Sequence, residues 1–139
     1  MNVTIEIIPH EQQRYPTAGD WVFDSDGNLR IRVSKLSDWR KEMLVALHEL
    51  VEVLKCKHDG VTQESVDAFD IEYEKRREEA LNSEMPEADK ALVAIDEPGD
   101  QPNAPYAKQH CLATGVERLM AAALDVNWHE YELEIEALP

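Results

Sequence analysis

Residues 21–54 read WVFDSDGNLRIRVSKLSDWRKEMLVALHELVEVL. The periodicity of this stretch changes halfway along. In the first half, Leu29, Ile31 and Val33 alternate with Arg30, Arg32 and Ser34, the period of a strand with one buried face. Trp21–Phe23 is a second strand, and Asp24-Ser-Asp-Gly-Asn28 between the two is a hairpin turn. In the second half, Ser37 can cap a helix running from Asp38 to about Lys57, which Gly60 ends. Within it, nine of the twelve residues of Met43–Leu54 are apolar, and they surround the helix on nearly every side, as in a buried helix.

Upstream, Val3, Ile5 and Ile7 alternate with Thr4 and Glu6 and predict a third, half-buried strand. Downstream, Thr62 caps a helix to about Asn82, with Val66, Phe69, Tyr73 and Ala80 as its apolar stripe. Pro86, Pro98, Gly99, Pro102 and Pro105 then interrupt the chain, and only Ala88–Ile95 suits a short helix, so a mobile loop is expected here. Pro105 suits the start of a helix over Tyr106–Leu124. Asn127 and Glu130 form a capping-box-like pair for a last helix to about Leu138. Strands first and helices later make an α+β fold: a small antiparallel N-terminal sheet of about three strands, then three to four helices on one side. The 139 residues suit a single domain, divided into a sheet (1–35), a helical pair (36–82), a Pro-rich loop (83–104) and C-terminal helices (105–138).

Composition narrows the function classes. Lys and Arg total 14 against 29 Asp and Glu, a formal charge of −15, while 43 % of residues are hydrophobic. Such a chain can bury a core, but it lacks the excess of basic residues needed to bind nucleic-acid phosphates or an anionic membrane surface. No apolar run is long enough to span a bilayer, and the N-terminus lacks the pattern of a secretory signal. Cys56 and Cys111 are too few to staple the domain and read as small buried hydrophobes, so a cytoplasmic protein is expected.

The chemistry concentrates in the helix. Its polar residues between Met43 and Leu54 are His48, Glu49 and Glu52. Burying a histidine and two carboxylates without partners costs several kcal/mol each, so a cation, an arginine or a set of hydrogen bonds must compensate. His48 and Glu52 are four apart and project from one face, the spacing of two ligands on a zinc helix. Glu49 follows the first of them, where a base can take a proton from a metal-bound water whose pKa has fallen to about 7. The carboxylate ligand also admits manganese, magnesium or iron.

A third ligand has several candidates. His110 shares a helical stripe with Thr114 and Glu117, and Glu117 is either a fourth ligand or an orienting partner. His58 and Asp70 are alternatives. His10 and His129 read as surface residues. Asp24–Asn28 misplaces its glycine for a calcium loop. Adjacent residues such as His110 and Cys111 diverge by about 100° on a helix and cannot easily share one ion.

The hairpin leading into HExxE, Leu29–Leu54, resembles zincin-type metallopeptidases. The resemblance implies His48 and Glu52 as ligands, Glu49 as base, and a peptide substrate lying along Leu29–Ser34. A competing resemblance lies in Glu49 and Glu52 followed by Asp67 and Asp70. This resembles the paired carboxylates of MazG-related nucleotide pyrophosphohydrolases, which implies magnesium, though in an all-helical fold. A third class is an acidic interaction or inhibitor protein that occupies a basic partner. Taken together, GDWVFDSDGNLRIRVSKLSDWR (19–40), ALHELVEVLKCKHDGVT (46–62), VDAFD (66–70) and PGDQPNAPYAKQHCLATGVERLMAAALDVNW (98–128) resemble small proteins of tailed phages and prophages. That resemblance implies a bacterial host cytoplasm and supplies no activity. The expectation from the residues is a metal-assisted hydrolase with zinc on His48, Glu52 and His110, Glu117 nearby and Glu49 as base.

Overall fold

The computed structural model describes residues 1–139, apart from the side chain of residue 95. Three strands come first: β1 (Val3–Ile8), β2 (Gly19–Phe23) and β3 (Leu29–Ser34). Five helices follow: α1 (Trp39–Asp59), α2 (Gln63–Leu81), α3 (Glu87–Ile95), α4 (Ala107–Ala123) and α5 (Trp128–Glu136). The class is α+β. Among the described residues, no helix is long and apolar enough to cross a membrane.

The hairpin forms as the sequence predicts. Asp24 Oδ1 accepts from the backbone N–H groups of Asp26 and Asn28 at 2.8 and 2.9 Å, and Gly27 takes φ 78°. The sheet is nevertheless mixed rather than antiparallel. Its order is β1-β3-β2, with β1 parallel to β3 and β2 antiparallel to it. The cause is the length of the first connection. Ile8 pairs with Ser34 and Gly19 with Val33, so β1 ends and β2 begins at the same end of β3. Residues 9–18 need only cross about two strand spacings, roughly 10 Å, to place β2 on the far side.

The register sets Val3, Ile5 and Ile7 opposite Leu29, Ile31 and Val33, on the core face as expected. Leu29, Ile31 and Val33 are fully buried beneath α1, each worth roughly 2 kcal/mol. α1 covers β3 and β2 but stops short of β1, so Val3, Ile5 and Ile7 stay 46, 42 and 36 % exposed.

Helix ends follow capping chemistry, with one shift. Asp38, not Ser37, caps α1 by accepting from Arg40 N–H at 2.8 Å. Ser37 instead donates its backbone N–H and hydroxyl to Glu134 at 2.6 and 2.8 Å, tying the start of α1 to α5. Gly60 (φ 76°) closes α1, Thr62 caps α2 and Asn127 caps α5. The Pro-rich segment 83–104 is not a plain loop. It carries α3 and a 3-10 turn at Pro98–Asp100 that packs on α2 and α4. Five helices thus replace the expected three to four.

Candidate metal centre

α1 and α4 form the most extensive helix pair in the molecule. This pairing brings His48 and Glu52 of α1 against His110 and Glu117 of α4, with all four side chains buried. Three donor atoms converge. His48 Nε2 lies 3.2 Å from His110 Nδ1 and 3.3 Å from Glu52 Oε2, and His110 Nδ1 lies 3.0 Å from Glu52 Oε2. Tetrahedral bonds of about 2.0 Å put neighbouring donors roughly 3.3 Å apart, so the triangle matches one face of such a site.

Each donor is steered from behind. His48 Nδ1 faces Glu117 Oε2 at 2.7 Å, and Tyr131 OH of α5 donates to the other oxygen of Glu117. Trp21 Nε1–H of β2 donates to Glu52 Oε1 at 3.0 Å, turning Oε2 towards the histidines. His110 Nε2 faces Glu97 Oε2 at 3.2 Å and Asp100 Oδ1 at 3.3 Å, with no well-aligned hydrogen bond to either. The backbone of Gly99 lies flat against the His110 ring, where an added Cβ would overlap Cγ and Nδ1.

Carboxylates dominate the electrostatics around the two imidazoles. Burial alone would raise the Glu52 pKa, but hydrogen bonds from His110 and His48 lower it to about 2. Burial would lower the histidine pKa values, yet the carboxylates win. Glu117 and Glu52 hold His48 well above the ordinary value, and Glu52 and Glu97 raise His110 to about 10. Protons on the two rings therefore offset part of the negative charge of this set. A divalent cation would do the same work through the same three atoms.

Glu49 stands beside the triangle. Its carboxylate packs against Gly19 of β2, where a Cβ would come within 2.6 Å of Oε1. Desolvation, then repulsion from Glu52, raises its pKa well above the usual carboxylate value. Glu49, Glu52 and His110 line a cleft of about 370 Å³, together with Asp70, Glu97 and Tyr131.

The structure thus gathers His48, Glu52, His110 and Glu49. Glu117 is present, but it holds His48, not the centre of the triangle and not His110. His58 is exposed and pairs with its neighbour Asp59. Asp70 accepts from Tyr15 at 3.1 Å and from Tyr106, and burial raises its pKa to about 7. Asp67 is held by Arg14, which also grips Asp20. Among the described residues, the groups close enough to share one ion are His48–Glu52–His110 and Glu97–Asp100–His110. Asp67 and Asp70 join neither group, though both line the same cleft as Glu49 and Glu52. His10 is half-buried rather than a surface residue, between Ser34 Oγ (2.9 Å) and the Pro139 carbonyl (2.8 Å). Cys56 is buried as expected, whereas Cys111 is exposed.

Sequence reasoning did not single out Glu97, Gly99, Asp100 or Tyr131. Pro98 and Gly99 read only as breaks within a loop, and nothing local says that this segment folds onto His110. Compared with known proteins, the chain matches no family model, no curated protein and no solved structure.

Proposed function

We propose that the protein is a divalent-metal-dependent hydrolase. His48, Glu52 and His110 hold one ion, and Glu49 is the general base. The observation that carries this reading is the donor triangle, whose members come from two helices and are each oriented by a further group. Two imidazole nitrogens and one carboxylate oxygen form a zinc-type donor set, which manganese or iron also accept.

A bound ion of this kind supplies a water acidified to near neutrality and a Lewis acid for a substrate carbonyl or phosphoryl oxygen. The residues do the rest. Glu117 accepts from His48 Nδ1–H, which leaves Nε2 with its lone pair towards the centre. Glu97 and Asp100 favour the Nε2–H form of His110 and leave Nδ1 as the donor. Desolvation raises the pKa of Glu49 and so its basicity, which suits a group that takes a proton from water.

A peptide is a fitting substrate, but not along Leu29–Ser34. β3 is the central strand and is paired on both sides. The strand at the site is the edge strand β2, whose Gly19 touches Glu49 and whose Trp21 touches Glu52. An extended substrate would lie along Gly19–Phe23. The resemblance to phage proteins fits this reading without supplying an activity, and a host cytoplasm would be its setting.

The test is metal content by mass spectrometry on untagged protein, beside His48→Ala. Near-stoichiometric zinc, manganese or iron that the variant loses is the expected result and leads to peptide hydrolysis assays. Wild-type protein that takes up none of these ions when supplemented would overturn the proposal.

A further inference from the structure

We infer that the protein is a two-fold homodimer, joined through the outer edge of β1 and the exposed face of α1, away from the metal centre. β1 is an edge strand of six residues. Soluble proteins protect such edges with lysine, proline, bulges or a covering element. Between Val3 and Ile8 there is no lysine and no proline, and the one charge is Glu6, 3.8 Å from Arg30. Val3, Ile5 and Ile7 point to the core side of the sheet, yet all three stay exposed.

The exposed face of α1 is equally apolar. Trp39, Met43 and Leu54 are 64, 37 and 47 % exposed, and Leu47 and Leu50 lie half-buried between them at helical spacing. α1 touches β2 through Val45, Glu49 and Glu52. At 100° per residue, Trp39, Met43, Leu47, Leu50 and Leu54 fall on one stripe, roughly opposite the side that meets β2 and the metal centre.

A second copy suits this surface for three reasons. An edge strand pairs antiparallel with its own symmetry mate about a two-fold axis, turning the three-stranded sheet into a continuous six-stranded one. The exposed parts of these side chains amount to roughly 500 Å², close to the apolar share of a standard interface of about 800 Å² per partner. Finally, the chain carries −15, so a like-charged copy can approach only where acids are missing. The acids within α1 turn elsewhere: Glu42 to Leu36 N–H and Lys35, Glu49 to Gly19, Glu52 to Trp21, and Asp59 to Lys55 and Gln109.

Sedimentation equilibrium of the full chain at moderate salt is the test, with amide exchange of β1 as a second readout. We expect a species of about twice 15.9 kDa whose β1 amides gain protection as concentration rises. Ile5→Lys should raise the dimer dissociation constant by roughly 30-fold or more. Trp39→Glu, on a helix surface where it cannot disturb the monomer's core, should do the same, with an unchanged circular dichroism spectrum. A wild type that is monomeric at high micromolar concentration overturns the inference. So does a dimer that both substitutions leave intact, because its contact must then lie elsewhere.

Discussion

Replacing Glu117 with glutamine separates two roles for this residue by magnitude. Glu117 is 7 % exposed, with one oxygen 2.7 Å from His48 Nδ1 and the other accepting from Tyr131 OH. A glutamine fits the same volume. Its carbonyl can accept from His48 Nδ1–H while its amide donates to the Tyr131 oxygen, so the ring stays in place and only the charge is lost. Removing such an orienting partner weakens metal binding by roughly 10–100-fold, or about 1.4–2.7 kcal/mol. Competition against a chromophoric zinc chelator at neutral pH measures this directly. An affinity equal to the wild type would refute the orienting role. Loss of stoichiometric binding would refute the geometry, since Glu117 would then be a donor to the ion itself.

Three further outcomes are expected. Glu49→Gln should keep the bound metal and a near-native fold while lowering kcat by roughly 10²-fold or more, as removal of a general base does; equal loss of metal would make Glu49 structural. Gly99→Ala should push the His110 ring out of the triangle, weakening metal binding while leaving the sheet intact, and unchanged affinity in the chelator competition would show that the turn yields. Asp70 has a folded-state pKa of about 7 against an ordinary value of 3.8, so the folded chain holds a proton that the unfolded chain releases between these pH values. Its contribution therefore declines as pH rises through that window, by a few kcal/mol in order of magnitude, and is fully lost above pH 7. Urea titrations across this range should show the wild type losing stability relative to Asp70→Asn as pH rises; parallel curves would place the Asp70 pKa near its ordinary value.

The hairpin, the helix order and most caps were legible because each rests on neighbours in sequence. The turn at Asp24–Asn28 needs only its own side chains, and Gly60 and Thr62 mark helix ends by themselves. The core of the metal centre was legible for a related reason. His48 and Glu52 are four apart on a helix stretch with little other polarity, and His110 opens an apolar stretch in which Glu117 is one of few charges. What failed was long-range. The direction of β1 relative to its neighbour depends on whether it joins β3 or β2, and no alternation pattern encodes that. The Pro-rich segment looked like a loop because its prolines limit helix length, yet Glu97, Gly99 and Asp100 are placed by packing on α4. Glu117 was recognised as needing a partner, but whether it serves His48 or His110 depends on the antiparallel register of α1 and α4, which brings it level with His48.

The two histidines of the triangle are 62 residues apart in the chain. An ion held between them would close a loop containing all of α2, α3 and the Pro98–Asp100 turn. By the chain-entropy scale used for cross-links, tying a loop of that length removes about 4 kcal/mol of unfolded-state freedom. The centre would thus act as a clasp as well as a reactive site. In that arrangement the mostly polar α2–α3 excursion, which buries little apolar surface of its own, is secured at its base by coordination, and supply of the ion becomes a condition for this part of the molecule to stay assembled.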